Sequence, residues 1–211
     1  MSIDLLISTL VTLLVTVDPV GLAPIFLSLT DGMTVRERRA VAVRATVIAF
    51  AILTFFVLLG DRLLDWLEIG LPAFRIGGGL LLFWIAFEMV FERRTERKQE
   101  TADAALHLDH MRDLAAFPLA IPLMAGPGAI TAVILLTARM EESPFGIAAV
   151  LLLVLAVMLA CLGVFLASEG ISRLLGRTGR IVLSRLLGVL LTALAVQFVV
   201  DGIGALLRPA G

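Results

Sequence analysis

Apolar residues in this chain gather into six long runs separated by short charged clusters. The runs cover roughly residues 5–29, 45–60, 71–91, 114–138, 144–168 and 181–207. The fourth and fifth contain no charge, and the first contains only Asp18. The third carries Arg75 and Glu88 near its ends, and the sixth carries Arg185 and Asp201 towards its ends. A helix needs about 20 apolar residues to cross the hydrocarbon core of a bilayer. The pattern therefore predicts an all-α, polytopic membrane protein of six transmembrane helices. The second run is short, so its flanks have to contribute, with Arg44 reaching back to the interface. The chain starts Met1-Ser2-Ile3-Asp4, with no basic stretch ahead of the first run. That run is expected to be a retained helix, not a cleaved signal.

The basic residues test this count. With six spans, one side of the membrane receives Arg36, Arg38, Arg39, Arg44, Arg93, Arg94, Arg97, Lys98, Arg112, Arg173, Arg177, Arg180 and Arg185. The other receives only Arg62, Arg75, Arg139 and Arg208. Basic loops stay in the cytoplasm, so both termini are expected outside it. A wrong span count would have scrambled the asymmetry.

The longest hydrophilic stretch, residues 92–113, divides a single membrane domain (1–211) into 1–91 and 114–211, with a cytoplasmic linker between them. Each part holds three spans, so the two have opposite orientations. They also show weak similarity. Pro19 can be set on Pro127; a nearby register sets Arg75 on Arg185, Gly78 on Gly188 and Leu80-Leu81 on Leu190-Leu191. Two inverted three-helix repeats are a common plan among secondary transporters.

Candidate chemistry sits in the first and fourth runs. The first reads Val17-Asp18-Pro19-Val20-Gly21-Leu22-Ala23-Pro24, and the fourth includes Pro118, Pro122 and Gly126-Pro127-Gly128-Ala129-Ile130-Thr131. Proline removes a backbone donor and clashes with the preceding turn, while glycine lets the backbone leave helical geometry. Both helices are expected to break near mid-membrane. Lipid cannot satisfy the freed peptide groups, so the breaks should face each other inside the bundle. A half-helix N-terminus favours a carboxylate, and its partner's free carbonyls favour an ammonium or a cation. That pair fits a zwitterion. Kinks made only for packing are the plainer reading.

Asp18 is the sharpest single residue, because an ionised carboxylate at helix centre costs roughly 3 kcal/mol on insertion scales. It reads as a coupling group or substrate ligand, and equally as an N-cap with Pro19 at the first helical position. Gln197, deep in the sixth run, is expected to bond a neighbouring helix in the polar interior. Glu88 and Asp201 read as interfacial. Gly77-Gly78-Gly79 lacks the Lys-Ser/Thr of a phosphate loop and reads as close helix packing. His107-Leu108-Asp109-His110 lacks further ligands, and Glu169 with Arg173 reads as a structural pair one turn apart. No metal site or cofactor is expected.

Composition agrees. The chain is 60% apolar and 17% charged, where soluble domains have about 45–50% and 25%, and its mean hydropathy is +1.04. A formal net charge of −1 gives no basis for a nucleic-acid partner. One cysteine, Cys161, allows no disulfide within the chain.

Four blocks together resemble the MarC family of integral inner-membrane proteins. They are Asp18-Pro19-Val20-Gly21 with Pro24-Ile25-Phe26-Leu27-Ser28-Leu29-Thr30, then Leu71-Pro72-Ala73-Phe74-Arg75-Ile76-Gly77-Gly78-Gly79, then Ile121-Pro122-Leu123-Met124-Ala125-Gly126-Pro127-Gly128-Ala129-Ile130-Thr131, and Val196-Gln197-Phe198-Val199-Val200-Asp201-Gly202. The resemblance runs over nearly the whole chain. It implies a bacterial or archaeal inner-membrane protein of six spans in two inverted halves. It also implies transport of small neutral amino acids such as glycine and alanine, bound between the broken first and fourth helices. The site residues implied are Asp18, Pro19 and Gly21 with Gly126, Pro127, Gly128 and Thr131. Family members carry Asp or Asn at the position of Asp18, so a charge there is not essential to every member.

The expected function is secondary active transport of small neutral amino acids, coupled to a proton or cation. The alternatives are an exporter of other small metabolites or drugs, and a membrane scaffold that transports nothing. No nucleophile or metal constellation points to an enzyme.

Overall fold

A computed structural model describes residues 3–107, 114–140 and 145–207, and every element among them is helical. The helices are α1 (Ile3–Val17), α2 (Pro19–Leu29), α3 (Val35–Trp66), α4 (Leu71–Val90), α5 (Arg93–His107), a wide helix (Ala115–Met124), α6 (Pro127–Met140), α7 (Gly146–Leu166) and α8 (Ser168–Leu207). Five stretches are long and apolar enough to cross a membrane: Ile3–Leu29, Val35–Trp66, Leu71–Val90, Gly146–Leu166 and Thr178–Leu207. The bent pair Ala115–Met124 with Pro127–Met140 makes a sixth when counted as one span.

The short second run is extended by its flanks, as its length required. Thr34 and Glu37 form a reciprocal capping box that starts α3 ahead of the apolar stretch. The resulting 32 residues rise about 48 Å, more than the hydrocarbon core needs.

The first and fourth spans both break, but differently. Asp18 adopts a left-handed conformation (φ 59°, ψ 65°) between α1 and α2, one that Asp tolerates better than most residues. The ladder persists around it, since the Asp18 N–H donates to the Leu14 carbonyl at 2.8 Å and the Leu22 N–H to the Asp18 carbonyl at 3.2 Å. The two halves therefore continue as one span of 27 residues. In the fourth span Phe117 and Ile121 are extended (φ −132°, ψ 127°; φ −123°, ψ 126°). Each precedes a proline, whose ring disfavours helical geometry in the residue before it. The helix loosens to bonds five residues apart, such as Ala125 N–H to the Ala120 carbonyl at 2.8 Å. It then turns by 55° into α6.

These two spans form the middle of the bundle. In the first, 61% of the apolar window is buried, against 28% in the sixth. α6 is buried nearly all round, from Gly128 to Met140. Buried Thr9, Thr12 and Thr16 turn their hydroxyls back onto carbonyls one turn earlier. Phe26 stacks on Phe165 at 4.6 Å, joining α2 to α7.

Within the Gly77-Gly78-Gly79 run, Gly78 and Gly79 pack helices. A Cβ on Gly79 would lie 2.8 Å from the Ala195 carbonyl oxygen of α8, and one on Gly78 would lie 2.6 Å from the Thr131 methyl of α6. α8 reciprocates, with Gly188 against Ala86 and Met89, and Gly202 against Pro72.

The hydrophilic linker is not a plain loop. Its residues 93–107 form α5, which packs against α2, α4 and the wide helix. Arg94, Lys98 and Ala102 recur one turn apart and are all buried. Residues 108–113, including His110, lie outside the described residues, as does the His107 side chain.

Candidate functional site

The break in the first span is completed by α5. Asp18 caps α2 by accepting the Gly21 N–H at 3.0 Å, with Pro19 buried at the first helical position. Its second carboxylate oxygen is 3.2 Å from the Lys98 ammonium. One turn earlier on α5, Arg94 donates to the Thr16 carbonyl, an otherwise free acceptor at the end of α1, and to the Met89 sulfur at 3.0 Å. Thus one cation serves the C-terminal end of the upstream half-helix and another serves the cap of the downstream half.

A second ion pair lies beside the first. Glu88 of α4 is buried, accepts the Trp84 indole N–H at 3.1 Å and pairs with Arg97 at 2.9 Å. Glu88 thus faces α5, a polar helix outside the apolar runs, beside the half-exposed Arg97. Burial pushes the Lys98 ammonium down to about 8, against the pull of Asp18 in the opposite direction. Burial likewise lowers the Arg94 guanidinium, and Asp18 opposes it.

Two cavities flank the Asp18–Lys98 pair. The first, about 270 Å³, is lined by Asp18, Gly21, Pro24, Glu92, Glu96 and Gln99, and closed by α8 at Arg180 and Ser184. The second, about 260 Å³, lies between α5 (Arg94, Arg97, Lys98) and the break in the fourth span (Gly126, Pro127, Gly128), with Thr16 and Trp84 beside them. Asp18 lines one and Lys98 the other, so their ion pair stands between the two.

The residues implied by the family resemblance are accordingly divided. Asp18 and Gly21 line the first cavity, and Gly126, Pro127 and Gly128 line the second. The two breaks do approach each other: a Cβ on Gly128 would lie 3.4 Å from the Thr16 methyl and 2.3 Å from the end of Ile85. Thr131 lines neither cavity and is buried one turn further along, against Gly78.

Gln197 departs from its expected place. It is exposed on α8 and donates to Asp201 of the same helix at 2.7 Å, not to a neighbouring helix. Asp201 in turn pairs with Arg139 of α6, whose guanidinium lies 4.1 Å above the Phe198 ring. Glu169 pairs with Arg38 of α3 at 2.7 Å; the Arg173 side chain is outside the described residues. Among the described residues no acidic, histidine and cysteine cluster could hold a metal ion.

In the sequence, Arg94, Arg97 and Lys98 stand out only as charges of a hydrophilic stretch. The signal that could have singled them out was the spacing of Arg94, Lys98 and Ala102, helical periodicity within a polar stretch.

A family model described as MarC family integral membrane protein matches residues 3–207. The chain is 39% identical over 206 residues to a UPF0056 membrane protein of Aquifex aeolicus, covering 97% of this chain and 94% of that protein. It is 32% identical to the UPF0056 membrane protein YvbG of Bacillus subtilis, over 96% of both chains. It is 34% identical to YhcE of Escherichia coli, over 89% of this chain and 86% of that one. No solved structure matches.

Proposed function

The chain belongs to the MarC family of integral membrane proteins, and on that footing we propose that it is a secondary active transporter of small neutral amino acids, coupled to a proton or cation. One observation carries this reading: a buried Asp18–Lys98 ion pair stands between two cavities at the breaks of the first and fourth spans. Opening such a pair strands two opposite charges away from water, which is strongly unfavourable. A zwitterion compensates both at once. Its ammonium takes the Asp18 carboxylate. Its carboxylate takes Lys98 and the first N–H groups of α6. A ligand carrying one charge compensates only half.

In this mechanism the substrate replaces an internal ion pair, undergoes no chemistry, and leaves on the other side as the pair closes behind it. The chain contains no ATP-binding motif, which makes an ion gradient the energy source available within it. The two halves act as inverted repeats, with both termini outside the cytoplasm and α5 on the cytoplasmic side.

The test is uptake of labelled glycine and alanine into proteoliposomes, with proton and sodium gradients imposed separately. Gradient-dependent uptake that unlabelled substrate competes away supports the reading and names the ion. Absence of uptake by folded protein, for these and other small metabolites, would turn the assignment to a membrane scaffold.

A further inference from the structure

The charges around the second cavity do not balance. Arg94, Arg97 and Lys98 of α5 form one wall. Two carboxylates answer them, Asp18 on Lys98 at 3.2 Å and Glu88 on Arg97 at 2.9 Å. Among the described residues no carboxylate forms an ion pair with Arg94, which is 6% exposed and bonds only a carbonyl and a thioether. The facing wall is the start of the 14-residue helix α6, at Gly126, Pro127 and Gly128. Its N-terminus adds a partial positive charge of about half a unit. Three cations and a helix N-terminus thus line a cavity of about 260 Å³, and among the described residues no carboxylate lines it. Arg97 is half exposed and the end of α1 offsets part of Arg94, but Arg94 and Lys98 are buried, and buried positive charge favours an anionic partner.

We propose that this cavity is a binding site for a small anion of single charge, with Arg94, Arg97, Lys98 and the first N–H groups of α6 as its recognition groups. The chemistry is one carboxylate or one halide. A guanidinium pair suits the planar carboxylate, and the cavity is too small for a large polyanion. The source is either the carboxylate of a transported amino acid or a free inorganic or organic anion. The inference rests on the transporter reading only for the first source.

Trp84 lines the same cavity and bonds Glu88, so it reports occupancy. The experiment uses the full chain with Trp66→Phe, leaving Trp84 as the single tryptophan, purified in detergent and buffered with a bulky sulfonate. Sodium acetate, sodium chloride, glycine and glycinamide are titrated separately. The expected result is a saturable change in Trp84 fluorescence with acetate, chloride and glycine, and none with glycinamide, which lacks the negative charge. A response to glycine but not to acetate or chloride would restrict the site to the substrate's own carboxylate and overturn the free-anion arm.

Two variants should move the affinity in opposite directions. Arg97→Gln should weaken acetate binding at least tenfold. Glu88→Gln, which frees Arg97, should tighten it. A variant that merely loosens the fold cannot produce both signs, and folding of each is checked by gel filtration. Absence of saturation with every anion, or equal affinity in both variants, overturns the proposal. Glycine uptake that persists without any anion binding defeats this inference alone. Acetate binding without amino-acid uptake defeats the transporter reading and leaves the anion site standing.

Discussion

The Lys98 ammonium meets the Asp18 carboxylate at 3.2 Å, across 80 positions of sequence, with each side chain only 9% exposed. Arg94, one turn earlier on the same helix, bonds the carbonyl of Thr16. A helix outside the apolar runs thereby supplies the polar partners for both sides of a break in the first span.

This pairing predicts a charge-balance cycle. Asp18→Asn leaves the buried Lys98 ammonium uncompensated and should destabilise by about 3–5 kcal/mol, more than Lys98→Met, which removes a cation that burial already disfavours. The double variant removes both charges and should recover most of that loss, while abolishing amino-acid uptake. Thermal unfolding of detergent-purified protein checks the first part and proteoliposome uptake the second. Additive losses in the double variant would mean that the two residues do not act as a pair.

A pH dependence follows from the same lysine. Its folded value is pushed down to about 8 from the ordinary 10.5. Between those values the unfolded chain binds more protons than the fold, so stability rises with pH from about 8 to about 10.5. Below about 8 both forms hold the proton and the contribution is flat. The wild-type melting profile over pH 7–10.5 should climb relative to that of the Asp18→Asn/Lys98→Met protein. Parallel profiles would exclude Lys98 as the titrating group.

Gly21 and Gly77 should respond oppositely to alanine. A Cβ on Gly21 would lie 2.2 Å from an Asp18 carboxylate oxygen, whereas nothing lies within 4 Å of one on Gly77. Gly21→Ala should dislodge the cap and lower stability by about 1–2 kcal/mol. Gly77→Ala should be neutral or slightly stabilising. Melting temperatures of the two variants, measured side by side, decide it.

Gly128→Leu should fill the second cavity and abolish glycine uptake in protein that still inserts and elutes as a folded species. Asp201→Asn is the matching control. Its pair with Arg139 is partly exposed and lines neither cavity, so it should shift stability by less than about 1 kcal/mol and leave uptake intact. Uptake at the normal rate by Gly128→Leu would remove the fourth-span break from the substrate path.

The spans were legible because hydropathy and charge asymmetry answer directly to the bilayer. The breaks were legible too, because Pro and Gly act on their own backbone. Side-chain placement was harder to read. Gln197 stood out as a polar residue in an apolar run, yet its partner Asp201 lies one turn away on an exposed face, where a bond within one helix suffices. α5 is hard to read for the opposite reason. Its composition resembles a solvated loop, and only the recurrence of Arg94, Lys98 and Ala102 distinguishes a helix that buries one charged stripe. Whether Lys98 meets Asp18 depends on how the linker folds back, which local pattern does not encode.

The glycine contacts between α4 and α8 bear on how such a molecule can move. Gly79, Gly188 and Gly202 bring the two helices together near Ala195, Ala86 and Pro72, along much of their length. One helix comes from each sequence half, so sliding one half past the other would tear this seam at three places where backbone meets backbone. The seam is a spine. For the transport proposed above, this seam favours flexing at the breaks of the first and fourth spans over a rocking of two halves.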